Sequence, residues 1–232
     1  HRDLHSFPTR RSSDLDMGYQ ARNNVSKLRA VTRYTQTDFP QTSKILERGY
    51  KLAFSKEADT HGLQLAQAAE FEFKQTFKNT SGFEIEFRQW ASGNDDLLTR
   101  GSALAPFVKF GQGRKFELTY YGRQNERWSY WAHLERKRQS FQSFTASSNV
   151  IALGGYYYPS DDLKFGIHLG KANSKNWFNW LGDNRIGVYP LDYFSIMVNA
   201  TWFPKENHEL RIKFQTTVRS EEHTSELQSR ET

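Results

Sequence analysis

A two-residue alternation of apolar and polar side chains limits what this chain can fold into. In GLQLAQAAEFEFKQTFK, six of the eight odd positions from 63 to 77 are apolar, whereas the even positions from 64 to 78 are polar apart from two alanines. Successive side chains of a β-strand point to opposite faces of the sheet, while the apolar face of a helix repeats about every 3.6 residues. The segment therefore predicts a long β-strand with one apolar and one polar face.

The same alternation recurs along the chain. It is clearest in GFEIEFRQW and HELRIKFQ, where large apolar residues are separated by polar or charged ones. Further strands are predicted at 103–110, 115–122, 126–136, 149–158, 162–170 and 192–203, with weaker candidates at 18–34 and 46–56. We therefore expect an all-β fold, an antiparallel meander of roughly ten long strands. Longer connections are expected at 89–102, 137–148 and 171–190.

The composition favours a sheet that faces lipid. Aromatic residues make up 15% of the chain, although only 37% of all residues are hydrophobic. No run of 18 apolar residues is present, so an ordinary transmembrane helix is not predicted. Strands of about nine to eleven residues with alternating faces are typical of transmembrane β-barrels, in which alternate residues meet lipid.

Two turn motifs point the same way. YYYPSDDLK and TWFPKENHEL each end a strand with aromatic residues, followed by Pro and a short charged turn. Aromatic residues at strand ends suit the interface of a membrane with water, and Pro stops further strand pairing. We therefore expect part of a transmembrane β-barrel in the bacterial outer membrane, in contact with the lipid bilayer and lipopolysaccharide.

The chain begins with HRD, a motif of the catalytic loop of protein kinases. That loop needs an Asn five residues after its Asp, where this chain has Pro8, and no glycine-rich loop or DFG follows. Residues 1–15 instead resemble one translated frame of a short-read sequencing adapter, and 219–232 resemble the opposite adapter. We therefore expect both flanks to be translated artefacts without structure, and 16–218 to be a partial barrel domain.

The run from Tyr193 to Gln215, YFSIMVNATWFPKENHELRIKFQ, resembles the C-terminal barrel of a bacterial domain-of-unknown-function family. The Trp-rich NWFNWLGDN and the aromatic-Pro turn contribute to that resemblance. Members usually carry a carbohydrate-binding module of the family-nine type before the barrel. The resemblance implies an outer-membrane barrel that acts beside a sugar-binding domain, with carbohydrate as a partner. It implies no catalytic residues.

Two groups of residues are candidates for a functional site. The first is a predicted loop in which aromatic rings lie beside amide and carboxylate groups, which suits either stacking on sugar rings or anchoring at the headgroup interface. It comprises Trp177, Phe178, Trp180, Asp183 and Asn184. The second consists of charged residues on polar strand faces, which would either select solutes in a lumen or pair across strands. It comprises Glu70, Glu72, Lys74, Glu84, Glu86, Arg88, Arg211 and Lys213.

Other kinds of site find little support in the sequence. The chain has no Cys, which excludes disulfides and thiolate metal sites. His133 and His168 have no partner at the spacing of metal ligands, and Asp95-Asp96 lacks an EF-hand pattern, so neither a metal nor a cofactor is expected. A net charge of +6 comes from scattered residues, which does not indicate nucleic-acid binding.

The sequence therefore predicts a fragment of an outer-membrane barrel protein for surface binding or passage of a solute, with no catalytic site of its own. The alternative is a soluble β-rich carbohydrate-active or carbohydrate-binding domain, whose apolar strand faces pack against a second sheet. The two hypotheses differ in what covers the apolar face.

Overall fold

The computed structural model describes residues 25–59, 62–95, 107–122, 127–141, 144–182, 185–221 and 225–228. Within these ranges the chain consists of strands and turns. The strands are β1 (Val25–Gln36), β2 (Ile45–Asp59), β3 (Gln64–Phe77), β4 (Gly82–Trp90), β5 (Gly93–Asp95), β6 (Val108–Phe110), β7 (Gly113–Tyr121), β8 (Trp128–Phe141), β9 (Phe144–Ser160), β10 (Leu163–Gly182), β11 (Arg185–Lys205), β12 (His208–Glu221) and β13 (Ser225–Gln228). None of the described residues forms a helix long and apolar enough to cross a membrane.

Ten strands form one antiparallel meander in the order β1-β2-β3-β4-β7-β8-β9-β10-β11-β12. β13 pairs with the first residues of β11, and β5 pairs with β6 in a separate two-stranded sheet. Among the described strands, β1 pairs with β2 alone and β12 with β11 alone. The expected all-β, antiparallel arrangement of about ten strands is confirmed.

Both aromatic-Pro motifs lie at the same end of the sheet. One joins β9 to β10 and the other joins β11 to β12, and the link between β3 and β4 at 78–81 is at this end too. Phe203 N–H donates to the backbone oxygen of Asp162, a bond of 2.8 Å that ties the two motifs together. The excursion at 91–112, which includes β5 and β6, leaves from the opposite end. We call these the turn end and the loop end.

Two of the expected connections are strands instead. β8 and β9 fill most of 137–148, and β10 and β11 fill most of 171–190. Their loop-end halves pair in register, for example Lys137 with Ser148 and Asn173 with Asp192. The loop-end halves of β8 and β9 carry polar residues on both faces, and those of β10 and β11 mix polar and apolar residues without a period of two. Neither pair therefore shows the alternation of a strand with one apolar face. A period-based prediction misses such strands because it detects the apolar face, not the ladder of hydrogen bonds.

The expected lack of structure near the C-terminus does not hold for every residue. Arg219–Glu221 continues β12 and pairs with Leu191 to Tyr193 of β11, and β13 pairs with Arg185–Val188. Strand pairing uses backbone groups that nearly every residue type has, so β11 accepts these segments whatever their origin.

Among the described residues, the largest fully buried side chains are Leu65, Phe141 and Ile186, and they lie toward the loop end. Val108 of β6, Phe141 of β8 and Ile186 of β11 form a buried cluster, with Phe110 and Phe144 packed against it. This cluster holds the β5-β6 hairpin against the main sheet.

Candidate functional site

The main sheet has one charged face, which the register assigns directly. Residues paired across neighbouring strands share a face, and Lys51, Glu72, Glu86, Glu117 and Glu135 are successive partners across β2, β3, β4, β7 and β8. The structure thus gathers into one row charges that are far apart in the sequence. We call this side of the sheet the polar face.

The eight charged candidates from the sequence all lie on the polar face. The six on β3 and β4 sit together at its centre: Glu70, Glu72, Lys74, Glu84, Glu86 and Arg88. Arg211 and Lys213 lie on the same face of β12, at the edge of the sheet, where both are exposed. The edge pair is therefore separated from the central group by the intervening strands.

Lysine residues at the centre of the polar face each contact two glutamates. Lys51 Nζ lies 2.6 Å from Glu70 and 2.5 Å from Glu72. Lys115 Nζ, on β7, lies 2.9 Å from Glu86 and 2.7 Å from Glu117. The sequence allowed two roles for these glutamates, selection of solutes or pairing across strands. The structure shows cross-strand ion pairs for them.

The opposite face of the sheet carries the large apolar residues and is more exposed than the polar face. Phe71, Phe87 and Phe116 are successive partners across β3, β4 and β7, and they are 41%, 39% and 44% exposed. The Lys51 and Glu70 side chains on the polar face are only 17% and 15% exposed. The ion pairs around Lys51 are thus shielded while these phenylalanines are presented outward, the reverse of the usual arrangement in a water-soluble domain. Lys74 and Arg88, on the same polar face, are exposed.

Exposed apolar residues form a continuous belt across the sheet. On β11 the belt runs from Phe194 to Trp202, and on β12 from Leu210 to Val218. Aromatic residues concentrate at its turn end, where Trp128 stacks on Tyr157 with ring centroids 4.3 Å apart. Their neighbours in this girdle include Tyr34, Tyr50, Tyr120, Tyr130 and Trp202.

A cavity of about 820 Å³ opens on the polar face near the loop end. Its wall includes Ser55 of β2 and Leu191 of β11, so the sheet curves far enough for strands near its two edges to line one space. The β5-β6 hairpin contributes Asn94 to the same wall, and Trp90 lies within it. We call this space the Trp90 cavity. No pattern in the sequence predicts this cavity, because its lining residues come together only through the curvature of the sheet.

The two histidines have different surroundings. Thr119 Oγ1 lies 3.0 Å from Nδ1 of His133, and the register brings His133 near Glu117 and Glu135, with potential ligand atoms within 4.8 Å of one another. The expectation that His133 lacks partners at ligand spacing is therefore wrong, because two strands supply them. The negative charge of Glu117 is already compensated by its ion pair with Lys115, so no metal ion is required to balance it.

His168 belongs to an aromatic cluster on the polar face. Its ring lies 5.9 Å from that of Trp131 and 5.3 Å from that of Tyr156, and Lys164 Nζ lies 3.8 Å from the Tyr156 ring. Among the described atoms, Nε2 of His168 has no hydrogen-bond partner. The cluster lies nearer the turn end than the residues that line the Trp90 cavity.

The first group of candidate residues lies differently from what the sequence indicated. Trp177, Phe178 and Trp180 are in β10, paired with Tyr189, Val188 and Ile186 of β11, rather than in a loop. Asp183 and Asn184 lie outside the described residues, as does Asp96.

Comparison of the chain with family models, with curated proteins and with solved structures gives no match to any of them. The geometry of the sheet is therefore the basis for assigning a function.

Proposed function

We propose that this chain is part of an outer-membrane β-barrel whose polar face binds or passes a polar solute. The observation that carries the proposal is the inverted exposure at the centre of the sheet, with shielded ion pairs on one face and outward phenylalanines on the other. Large contiguous apolar surfaces are rare on soluble monomers and mark contacts with protein or membrane. Transmembrane barrels combine an apolar outer band with a polar interior.

The height of the belt supports lipid as its partner. From Phe194 to Trp202 the strand rises about 26 Å at roughly 3.3 Å per residue. Tilted by about 40°, as barrel strands are, the same segment covers about 20 Å of membrane thickness, close to the roughly 25 Å band of such barrels. The aromatic girdle then lies at one interface, and the polar loop-end halves of β8 and β9 extend beyond the other.

The rival hypothesis is a soluble β-rich domain with a second sheet on the apolar face. Within the described residues, the second sheet is the β5-β6 hairpin, and its Asn94 and Phe110 line the cavity on the polar face. It therefore does not cover the belt. We assign no catalytic residue to the chain, and the polar face has the character of a binding or permeation surface.

Site-directed spin labelling tests the proposal sharply because the chain has no Cys. Phe116→Cys places a label on the apolar face of β7, and Thr119→Cys places a matched label on the polar face of the same strand. The full chain is refolded in detergent and reconstituted into phosphatidylcholine vesicles. We expect the label at 116 to collide with dissolved oxygen and the label at 119 with a water-soluble nickel chelate.

A label at 116 that meets the nickel chelate as readily as the label at 119 would contradict membrane embedding. Full solubility of the folded chain without detergent, as a monomer, would favour the soluble β-rich domain instead.

A further inference from the structure

The Trp90 cavity contains an indole whose position is fixed by its neighbours. Trp90 is the register partner of Gly113, and a Cβ on Gly113 would come within 2.4 Å of the indole atoms Cε2 and Nε1. The missing side chain at 113 therefore lets the ring lie against the backbone of β7. One side of the indole is thus covered, while Trp90 remains part of the cavity wall.

A glutamine fixes the orientation of this ring. Trp90 Nε1–H donates a hydrogen bond to Oε1 of Gln139 on β8. The amide of Gln139 in turn donates to the backbone oxygen of Gly111 at 2.8 Å. Because both ends of the glutamine are held, the indole is preorganised, and ordering it on ligand binding costs little.

The rest of the cavity wall combines apolar residues such as Phe110 and Leu191 with polar groups, and is nearly balanced in charge. It carries Arg88 and Lys137 as cations and three carboxylates, together with side-chain amides and serine hydroxyls. Asn94 is positioned by a bond of 2.8 Å from its Nδ2 to the backbone oxygen of Gln64. A phosphate site would need an excess of cations. This wall instead offers many donors and acceptors around a flat apolar ring.

We infer that the Trp90 cavity binds a neutral carbohydrate, an inference that rests on the proposed role of the polar face in solute binding. A pyranose has a C–H face that stacks on an indole and a rim of hydroxyls that both donate and accept hydrogen bonds. The volume of about 820 Å³ lies in the range of small-molecule sites, roughly 300 to 1,000 Å³. Lys137 Nζ lies 5.7 Å from the Trp90 ring centroid and is exposed, so it moves aside readily and bonds a hydroxyl.

The test is isothermal titration of the refolded full chain in detergent with maltotriose, cellotriose and xylotriose. Glutamate, arginine and inorganic phosphate serve as charged probes. We expect saturable binding of at least one trisaccharide and none of the charged probes. Trp90→Ala should weaken that binding at least tenfold, with Trp90→Phe between the two. Trp128→Ala removes an exposed indole from the apolar face and serves as the matched control, which should leave binding unchanged.

Three results would overturn the inference: no trisaccharide binds a chain with the circular dichroism of folded β-sheet, a charged probe binds instead, or Trp90→Ala binds as tightly as the parent. If Trp90→Ala fails to fold, Trp90→Phe takes its place. The inference is then overturned if Trp90→Phe binds as tightly as the parent and the parent binds all three saccharides and the charged probes equally well. Spin labels that report lipid around a chain that binds no saccharide would refute this inference alone. Saccharide binding by a chain that does not embed would refute the membrane proposal alone.

Discussion

At the scale of single residues, glycines on the polar face make room for rings. Gly154 of β9 lies between Trp131 of β8 and His168 of β10 in the register, and a Cβ there would come within 2.7 Å of both side chains. The two rings meet above a position that has no side chain. The space that a side chain at 154 would fill is thus taken by the two rings, so these large aromatic residues pack on the polar face without displacing the backbone.

Gly154→Ala should destabilise the fold by about 1 to 3 kcal/mol, because the ring contacts must shift to admit a methyl group. Gly49→Ala on β2 is the matched control, since its nearest neighbour would be Lys74 Cβ at 3.9 Å, an ordinary contact. The free energy of unfolding in detergent, from urea titration, checks both variants. Equal stability of the two would show that the rings above Gly154 relax without cost.

The lysine at 51 acts as a shared counter-ion. Lys51→Met keeps most of the stem but removes the cation that Glu70 and Glu72 share. Glu70 is then left with the longer 3.9 Å ion pair to Arg29. We expect a loss of about 1 to 2 kcal/mol, less than for a fully buried pair because these side chains are partly exposed. Lys27→Met, at a pair with Glu57 where Lys27 is half exposed, should cost less than about 1 kcal/mol.

The same urea titrations measure both lysine variants. The prediction depends on the order of the two stability losses, with Lys51→Met losing more than Lys27→Met. A larger loss in Lys27→Met than in Lys51→Met would contradict the bridging role of Lys51.

At the scale of strands, the sequence predicted a strand wherever one of its faces is apolar, because such a strand shows the two-residue alternation. GFEIEFRQW corresponds to β4 at its full length, and HELRIKFQ falls within β12. The loop-end halves of β8 to β11 were not predictable in this way, because residues such as Ser147, Ser148 and Asn173 are polar whichever face they occupy. Their pairing continues the ladder that the apolar belt has already set in register.

The β5-β6 hairpin depends on a small apolar cluster rather than on long ladders. Phe141 is fully buried against Val108 and Ile186, so Phe141→Ala should cost about 3 kcal/mol and loosen the hairpin. Amide hydrogen exchange should accelerate at Gly93–Asp95 and stay unchanged in β1 and β2. Phe203→Ala, which truncates an exposed ring at the turn end, is the control. Unchanged exchange in β5 would mean that other contacts hold the hairpin.

At the scale of the whole molecule, the sequence predicted which charges share a face but not which space they surround. Glu70, Glu72, Lys74, Glu84, Glu86 and Arg88 follow from the period of two residues alone. The Trp90 cavity depends on how strongly ten strands curve, since Ser55 and Leu191 line it from near opposite edges. Local patterns carry no information on that curvature. The fixed position of the Trp90 indole in the cavity wall therefore follows from the three-dimensional structure and not from the sequence pattern.

The curvature of the sheet makes a prediction about its edges. In a bilayer, each backbone group without a partner costs several kcal/mol. The sides of β1 and β12 that pair with no described strand must therefore be satisfied when the chain is embedded. When the chain is reconstituted alone, no further barrel strand is supplied. Because strands near both edges already line one cavity, we then expect β1 and β12 to pair within the same molecule. Spin labels at Thr32→Cys of β1 and Thr216→Cys of β12 report the separation by double electron–electron resonance in vesicles.

Pairing within one molecule should give the short distance of neighbouring strands, whose backbones lie about 4.8 Å apart. A flat sheet of this many strands would separate the labels by roughly 40 Å. Dilution with unlabelled chain distinguishes the two ways of satisfying the edges. A short distance that survives dilution supports closure by one chain. A short distance that vanishes would show that a second copy completes the sheet, and a long distance would show that the edges stay apart in lipid.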